Sequence, residues 1–132
     1  MFALLALFHD LFIVFGIFSW LGVLLSIEVN SLFAVSLLTI AGYSVNDTVV
    51  IFDRIRENIK NNSDNYNKTI QLSVNESFRR TLFTSITTLI PLITLILFGS
   101  YSLFWFSISL LLGILIGSYS SILLAPSFLI KN

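Results

Sequence analysis

Four stretches of this chain stay apolar over the length needed to cross a bilayer: about Ala3 to Leu25, Ser31 to Phe52, Leu82 to Phe98 and Leu103 to Ile130. A hydrocarbon core of ~30 Å takes about 20 residues at roughly 1.5 Å each. Within it every backbone N–H and C=O must be bonded inside its own segment or in a closed barrel, so runs this long read as helices. The expected fold class is an all-α polytopic membrane protein, with residues 1–132 as a single transmembrane domain. A hydrophobic content of 56% and a charged content of 11% agree with that. The start, "MFALLALFHDLF", carries no Lys or Arg of the kind that opens a signal peptide, so the first span reads as one that stays.

The short links "SIEVN" and "GSYS" join the spans into two helical hairpins. Positive residues in short loops are retained on the cytoplasmic side. Arg54, Arg56, Lys60, Lys68, Arg79 and Arg80 lie between spans two and three, and Lys131 follows span four. That distribution places both termini and a loop over 53–80 in the cytoplasm. The first half of the loop, "NIKNNSDNYNK", reads as a flexible linker. In the second half Ile70, Val74 and Phe78 recur at spacing four, which predicts a short amphipathic helix lying on the membrane surface. A solvated connector is the alternative.

The absence of Cys excludes disulfides and thiol catalysis, and one His cannot build a cluster. No phosphate-binding loop or nucleophile constellation is present. No catalytic residue, metal site or cofactor is therefore expected, and zero net charge gives no reason to expect nucleic acid.

Polar groups inside the spans are the informative exceptions. Asp47 lies six residues before Asp53, about 9 Å along a helix from the charged boundary. An ionised Asp deep in a span costs about 2.5 to 3.5 kcal/mol on insertion scales and is tolerated facing a bundle interior or wet cavity. Asp47 is thus expected to point inward. It serves either as a proton relay or as a hydrogen-bonded glue with Asn46 and with Tyr43, one turn earlier. His9 and Asp10 form a second polar pair in span one. As neighbours they point about 100° apart, so at least one should address another helix rather than its neighbour. A protonatable His beside a relay is the other reading. Arg79 and Arg80 open span three, and only one of them can face the bundle core. Thr84, Ser85, Thr87 and Thr88 add hydroxyls to that span, and Pro91 removes the N–H that would bond Thr87, which predicts a kink or local water site. In span four Ser109, Gly113, Gly117, Ser121 and Ala125 recur every four residues as a small-residue ridge for close helix packing.

"GYSVNDTVVIFDRIREN", over residues 42–58, closely resembles the signature of the SecF family, the smaller membrane subunit of the bacterial SecDF translocation complex. "ALFHDLFIVFGIFSWLG", "RRTLFTSITTLIPLITLILFGS" and "GILIGSYSSILLAPS" are similar to SecF's third, fifth and sixth membrane helices. The resemblance implies an RND-type half-bundle beside a SecD half, assisting export of preprotein through the SecYEG channel with SecA and using the proton-motive force. It extends to YajC as a further partner. By motif, Asp47 matches the family's essential intramembrane aspartate, Arg80 the arginine that pairs with it, and Asn46 its neighbour. It also implies a bacterial inner membrane, with a plastid membrane as the alternative. A full SecF has two preceding spans and a large extracytoplasmic domain that this sequence does not contain, so the chain reads as a fragment or a reduced subunit. A non-conducting scaffold that stabilises SecD and the channel is the competing function.

Overall fold

Turn chemistry at one end of the molecule creates the two hairpins. The computed structural model describes residues 2–27, 30–61 and 66–127. Helix α1 (Phe2–Leu25) stops where Ser26 enters the left-handed region at φ 52°. Asn30 then caps α2 (Ser31–Asn61): its Oδ1 accepts the N–H groups of Leu32 at 3.1 Å and Phe33 at 3.3 Å, and its carbonyl also accepts that of Phe33 at 3.0 Å. Helix α3 (Tyr66–Phe98) ends at Gly99, whose N–H donates to the Leu95 carbonyl at 2.8 Å. A Cβ at Gly99 would overlap that carbonyl oxygen, so only glycine closes this turn. Ser100, in an extended conformation, starts α4 (Tyr101–Tyr119). The chain then widens into a π-helical turn (Ser120–Leu124) and finishes its described course in α5 (Ala125–Ser127). No strand occurs among the described residues, and the four long helices have the length and apolarity to cross a membrane. Glu28 and Val29 of the first link, residues 128–130 of the fourth span and Lys131 lie outside the described residues.

The stretch 53–80, read from the sequence as a loop with a flexible first half, is helical wherever it is described. At 31 and 33 residues, α2 and α3 are about 46 and 50 Å long, well beyond an apolar core of ~30 Å. Both continue past the membrane as a paired extension, and only residues 62–65 of the expected linker lie outside the described part. The cause is a second, separate core: Ile51 and Ile55 of α2 meet Ile70 of α3, all at most 3% exposed, with Phe52, Ile59, Val74 and Ile122 around them. The apolar face at Ile70 and Val74 therefore packs on α2 instead of lying on a lipid surface, while Phe78 remains exposed. Of the residues that suggested a linker, Lys60, Tyr66, Asn67 and Lys68 lie on the exposed faces of this hairpin. Helix α3 runs unbroken through Pro91.

The main core joins Val14 and Phe18 of α1, Phe33 and Ile40 of α2, Leu92 of α3, and Leu110 and Ile114 of α4. Lipid tails are as apolar as these side chains, so close packing rather than water exclusion drives the contact. The α4 ridge supplies it: Ser109, Gly113, Gly117 and Ser121 are all buried, whereas the Ala125 side chain is outside the described set. At Gly113 a Cβ would overlap Cδ1 and Cγ1 of Ile40 and come within 2.9 Å of its Cγ2, so α2 rests directly on the α4 backbone. At Gly117 a Cβ would meet Ser44 Cβ at 3.5 Å and Asp10 Oδ2 at 3.7 Å, an ordinary contact. Helix α3 carries a matching buried ridge, Thr69, Ser73, Ser77, Thr81 and Ser85, again every four residues.

Gly113→Ala is expected to lower stability by about 1 to 3 kcal/mol through overpacking against Ile40. Gly117→Ala should cost far less. Unfolding of the two variants in mixed micelles measures the difference, and equal effects would contradict the contact at Gly113.

Candidate functional site: a polar layer around α2

Helix α2 packs against each of the other three and presents Tyr43, Ser44, Asp47 and Thr48 within two turns. Ser44, Asp47 and Thr48 are 1%, 6% and 0% exposed. Three of the four side chains bond to different neighbours. Tyr43 Oη meets Ser85 Oγ of α3 at 3.0 Å, and Ser85 Oγ in turn meets Ser118 Oγ of α4 at 2.6 Å. Ser44 Oγ donates to Asp10 Oδ2 of α1 at 2.6 Å. Thr48 Oγ1 meets Ser121 Oγ of the π turn at 2.9 Å. Ser121 is thus both a ridge residue and a hydrogen-bonding one. Each bond satisfies a group that would otherwise sit unpaired at membrane depth.

Asp47 is the exception. Its Oδ2 is buried and makes no hydrogen bond, a condition shared by Ser107 Oγ, Ser120 Oγ and Trp105 Nε1. The expectation that it points inward holds, but the glue with Asn46 and Tyr43 does not form. Asn46, next in sequence and so turned about 100° away, is exposed on another face of α2. It shares an open apolar face with Leu38, Ala41, Gly42, Val45 and Val49.

Arg80 is close enough for its charge to act on Asp47, yet no ion pair joins them. It lines a cleft of about 390 Å³ between α2 and α3 with Val50, Asp53, Arg54, Glu57, Glu76 and Ser77. Arg79 turns the other way and stacks over the Phe83 ring at 5.6 Å, as an interfacial anchor would. Thr84 and Thr87 stay out of the layer. Thr84 Oγ1 bonds the Thr81 carbonyl and Thr87 Oγ1 those of Phe83 and Thr84, so both serve their own helix from its exposed face.

His9 and Asp10 correct the sequence reading. Asp10 does address another helix, through Ser44, but it also meets its neighbour: His9 Nδ1 lies 3.2 Å from Asp10 Oδ1. The backbone directions diverge as expected, and the ring folds back to close the gap. Asp10 is fully enclosed while the His9 side chain is 43% exposed.

Ser44, Thr48 and Ser118 carry no signal of their own in the sequence, and Ser85 reads there only as one of four hydroxyls in its span. The α3 hydroxyls at spacing four were a readable signal for Ser85. The π turn was not readable, and Ser120 and Ser121 lie buried within it.

Beyond the membrane, Arg54 holds the cleft rim. Its Nη1 donates to Glu57 at 2.7 Å and its Nε to Glu76 at 2.8 Å, while Asn58 Nδ2 donates to Glu76 and to Ser73, each at 3.0 Å. The Asn58 amide, and then Arg54, hold the Glu76 carboxyl below its usual range.

A family described as protein export membrane protein SecD/SecF, C-terminal, has a model that matches residues 1–132. The protein translocase subunit SecF of Prochlorococcus marinus is 61% identical over 130 residues, 98% of this chain and 40% of that protein. SecF of Synechocystis sp. is 46% identical over 127 residues, 96% of this chain and 40% of that protein. A crystal structure of SecDF, a translocon-associated membrane protein from Thermus thermophilus, matches with a TM-score of 0.89 at 39% identity over 97% of this chain and 17% of that one. A second, of SecDF in a super-membrane-facing form, gives 0.88 at 39% identity over 96% and 17%. The chain spans about 40% of the length of these SecF relatives. With its four apolar helices, it is a multi-pass membrane protein.

Because the folded Glu76 value is depressed, its contribution to the α2–α3 extension is present above the ordinary glutamate value of 4.5 and is lost as pH falls through the lower folded one. Protection of the amides in 54–61 and 66–76, taken relative to the intrinsic exchange rate at each pH, should therefore fall as the pH drops through that lower value. Glu76→Gln should flatten the response.

Proposed function

The chain belongs to the SecD/SecF family of protein export membrane proteins, and from that membership we propose that it works beside SecD in Sec-dependent protein translocation, with Asp47 coupling proton movement to a change of shape. The observation that carries this reading is the enclosed Asp47 carboxyl with one oxygen unbonded and Arg80 near but not ion-paired. Neither of its protonation states is locked by a fixed hydrogen bond. Taking a proton removes the attraction between Asp47 on α2 and Arg80 on α3, and releasing it restores that attraction. The balance between two packings of α2 and α3 then follows the proton. Each charge moved down the membrane potential supplies ~2.3 kcal/mol per 100 mV.

SecD is the proposed cover for the open α2 face. Asn46 is exposed there among apolar residues, and a Cβ at Gly42 would point into open space, so a second helix can approach closely and bond the amide. The SecYEG channel, SecA, YajC and the preprotein enter through this partner in the proposed assembly. The membrane is a bacterial plasma membrane, with a plastid membrane as the alternative. The paired extension of α2 and α3 faces the cytoplasm, because it carries Arg54, Arg56, Lys60 and Lys68.

Asp47→Asn should abolish proton-dependent export in vesicles while the protein still inserts and assembles with SecD. Normal export by a well-assembled variant would favour the scaffold reading instead. Since the sequence has no Cys, a single cysteine at Lys60 reports orientation: a membrane-impermeant thiol reagent should label it only from the cytoplasmic side.

A further inference from the structure

Asp10 is a buried carboxyl that the Asp47 mechanism does not use. It is 0% exposed and makes two contacts, Ser44 Oγ on Oδ2 at 2.6 Å and His9 Nδ1 on Oδ1 at 3.2 Å. The elements packed against α1 are α2, α4, the π turn and α5. Helices α1, α4 and α5 and the π turn contain no Lys or Arg. From α4 the group facing Asp10 is Gly117, which has no side chain. From α2 it is Ser44. The other titratable groups nearest Ser44 on that helix are Tyr43, which is turned to Ser85, and Asp47, one turn on. The nearest cation on α2 is Arg54, ten residues away or about 15 Å along the axis. Among the described groups of α1 and of the elements packed on it, His9 is the one that touches Asp10 and can balance its charge, and its ring also reaches the outside of the bundle.

We infer that His9 and Asp10 form a second proton-binding site in the membrane domain, filled from outside the four-helix bundle through the imidazole. In the empty state Nδ1–H faces the Asp10 carboxylate, Nε2 has a free lone pair, and the pair carries one negative charge. Nε2 takes a proton from outside the bundle. The Nδ1 proton can then cross to Oδ1, leaving a neutral carboxylic acid and an imidazole protonated on Nε2. Emptying is the reverse, and the proton is the only species exchanged. The empty state holds Ser44 through a charge-assisted hydrogen bond, and the filled state holds it through a weaker neutral one. Ser44 lies one turn before Asp47, so filling the site loosens the grip of α1 on the helix that bears Asp47. That last link rests on the coupling role proposed for Asp47; the site itself does not.

Infrared spectra of the full-length protein with its partner in lipid vesicles, taken across about pH 5 to 9, test the site. Of the protonated-carboxyl bands in wild type, one should be lost in Asp10→Asn and retained in Asp47→Asn, which separates it from a band of Asp47 itself. It should change position in Ser44→Ala, which removes the donor, and fill about tenfold more slowly after a pH jump in His9→Gln. Asp10→Asn can still accept from Ser44, so loss of the band is readable in a folded protein. A spectrum with no band lost in Asp10→Asn at any pH overturns the inference. So does a band indifferent to both Ser44→Ala and His9→Gln. Failure here with export still dependent on Asp47 leaves the coupling role standing. An Asp10 band behaving as expected, with export indifferent to Asp47→Asn, upholds the site and removes the coupling role.

Discussion

Everything polar in this bundle is governed by the lack of bulk water at membrane depth. A hydroxyl or carboxyl there either finds a partner on a neighbouring helix or remains as an energetic liability. Helix α2 meets that constraint three times, sending Tyr43 to α3, Ser44 to α1 and Thr48 to the π turn. These bonds set the rotation of α2 about its own axis. That rotation in turn directs Asp47 inward and Asn46 outward. The small residues of α4 and the hydroxyls of α3 let the backbones approach closely enough for such short side chains to touch.

Against this background Asp47 stands out by what it lacks. Asp10, also buried, has a hydroxyl and an imidazole in place, whereas Asp47 has an unbonded oxygen and a cation kept at a distance. Two carboxyls on adjacent helices thus occupy different chemical situations. One is held by fixed partners within its own pair of helices. The other depends on how closely α3 brings Arg80.

Much of the architecture was legible in the sequence because hydropathy and spacing are local properties. The four spans, the α4 ridge and the inward direction of Asp47 needed no knowledge of neighbours. The paired extension was not legible. Its composition mimics a linker, and its order comes from Ile51 and Ile55 meeting Ile70, a contact between residues far apart in sequence. The partners of Tyr43, Ser44 and Thr48 were hidden for the same reason, since spacing shows which face a hydroxyl occupies but not which helix lies opposite. The His9 contact with Asp10 was missed by reasoning from Cβ directions alone and neglecting the reach of the ring. Of the four hydroxyls at the start of the third span, the spacing of Thr81 and Ser85 marks Ser85 as the one that faces inward.

The π turn at Ser120–Leu124 leaves α4 with one residue more than a regular helix of that length would hold. Such a surplus can migrate: each step exchanges one i→i+5 bond for one i→i+4 bond, so the bulge travels along the axis without changing the bond total. As it passes a residue, that residue swings by roughly a third of a turn. The inner wall of the bundle therefore has a built-in slack just where Ser121 meets Thr48, and neither α1 nor α2 has an equivalent among the described residues.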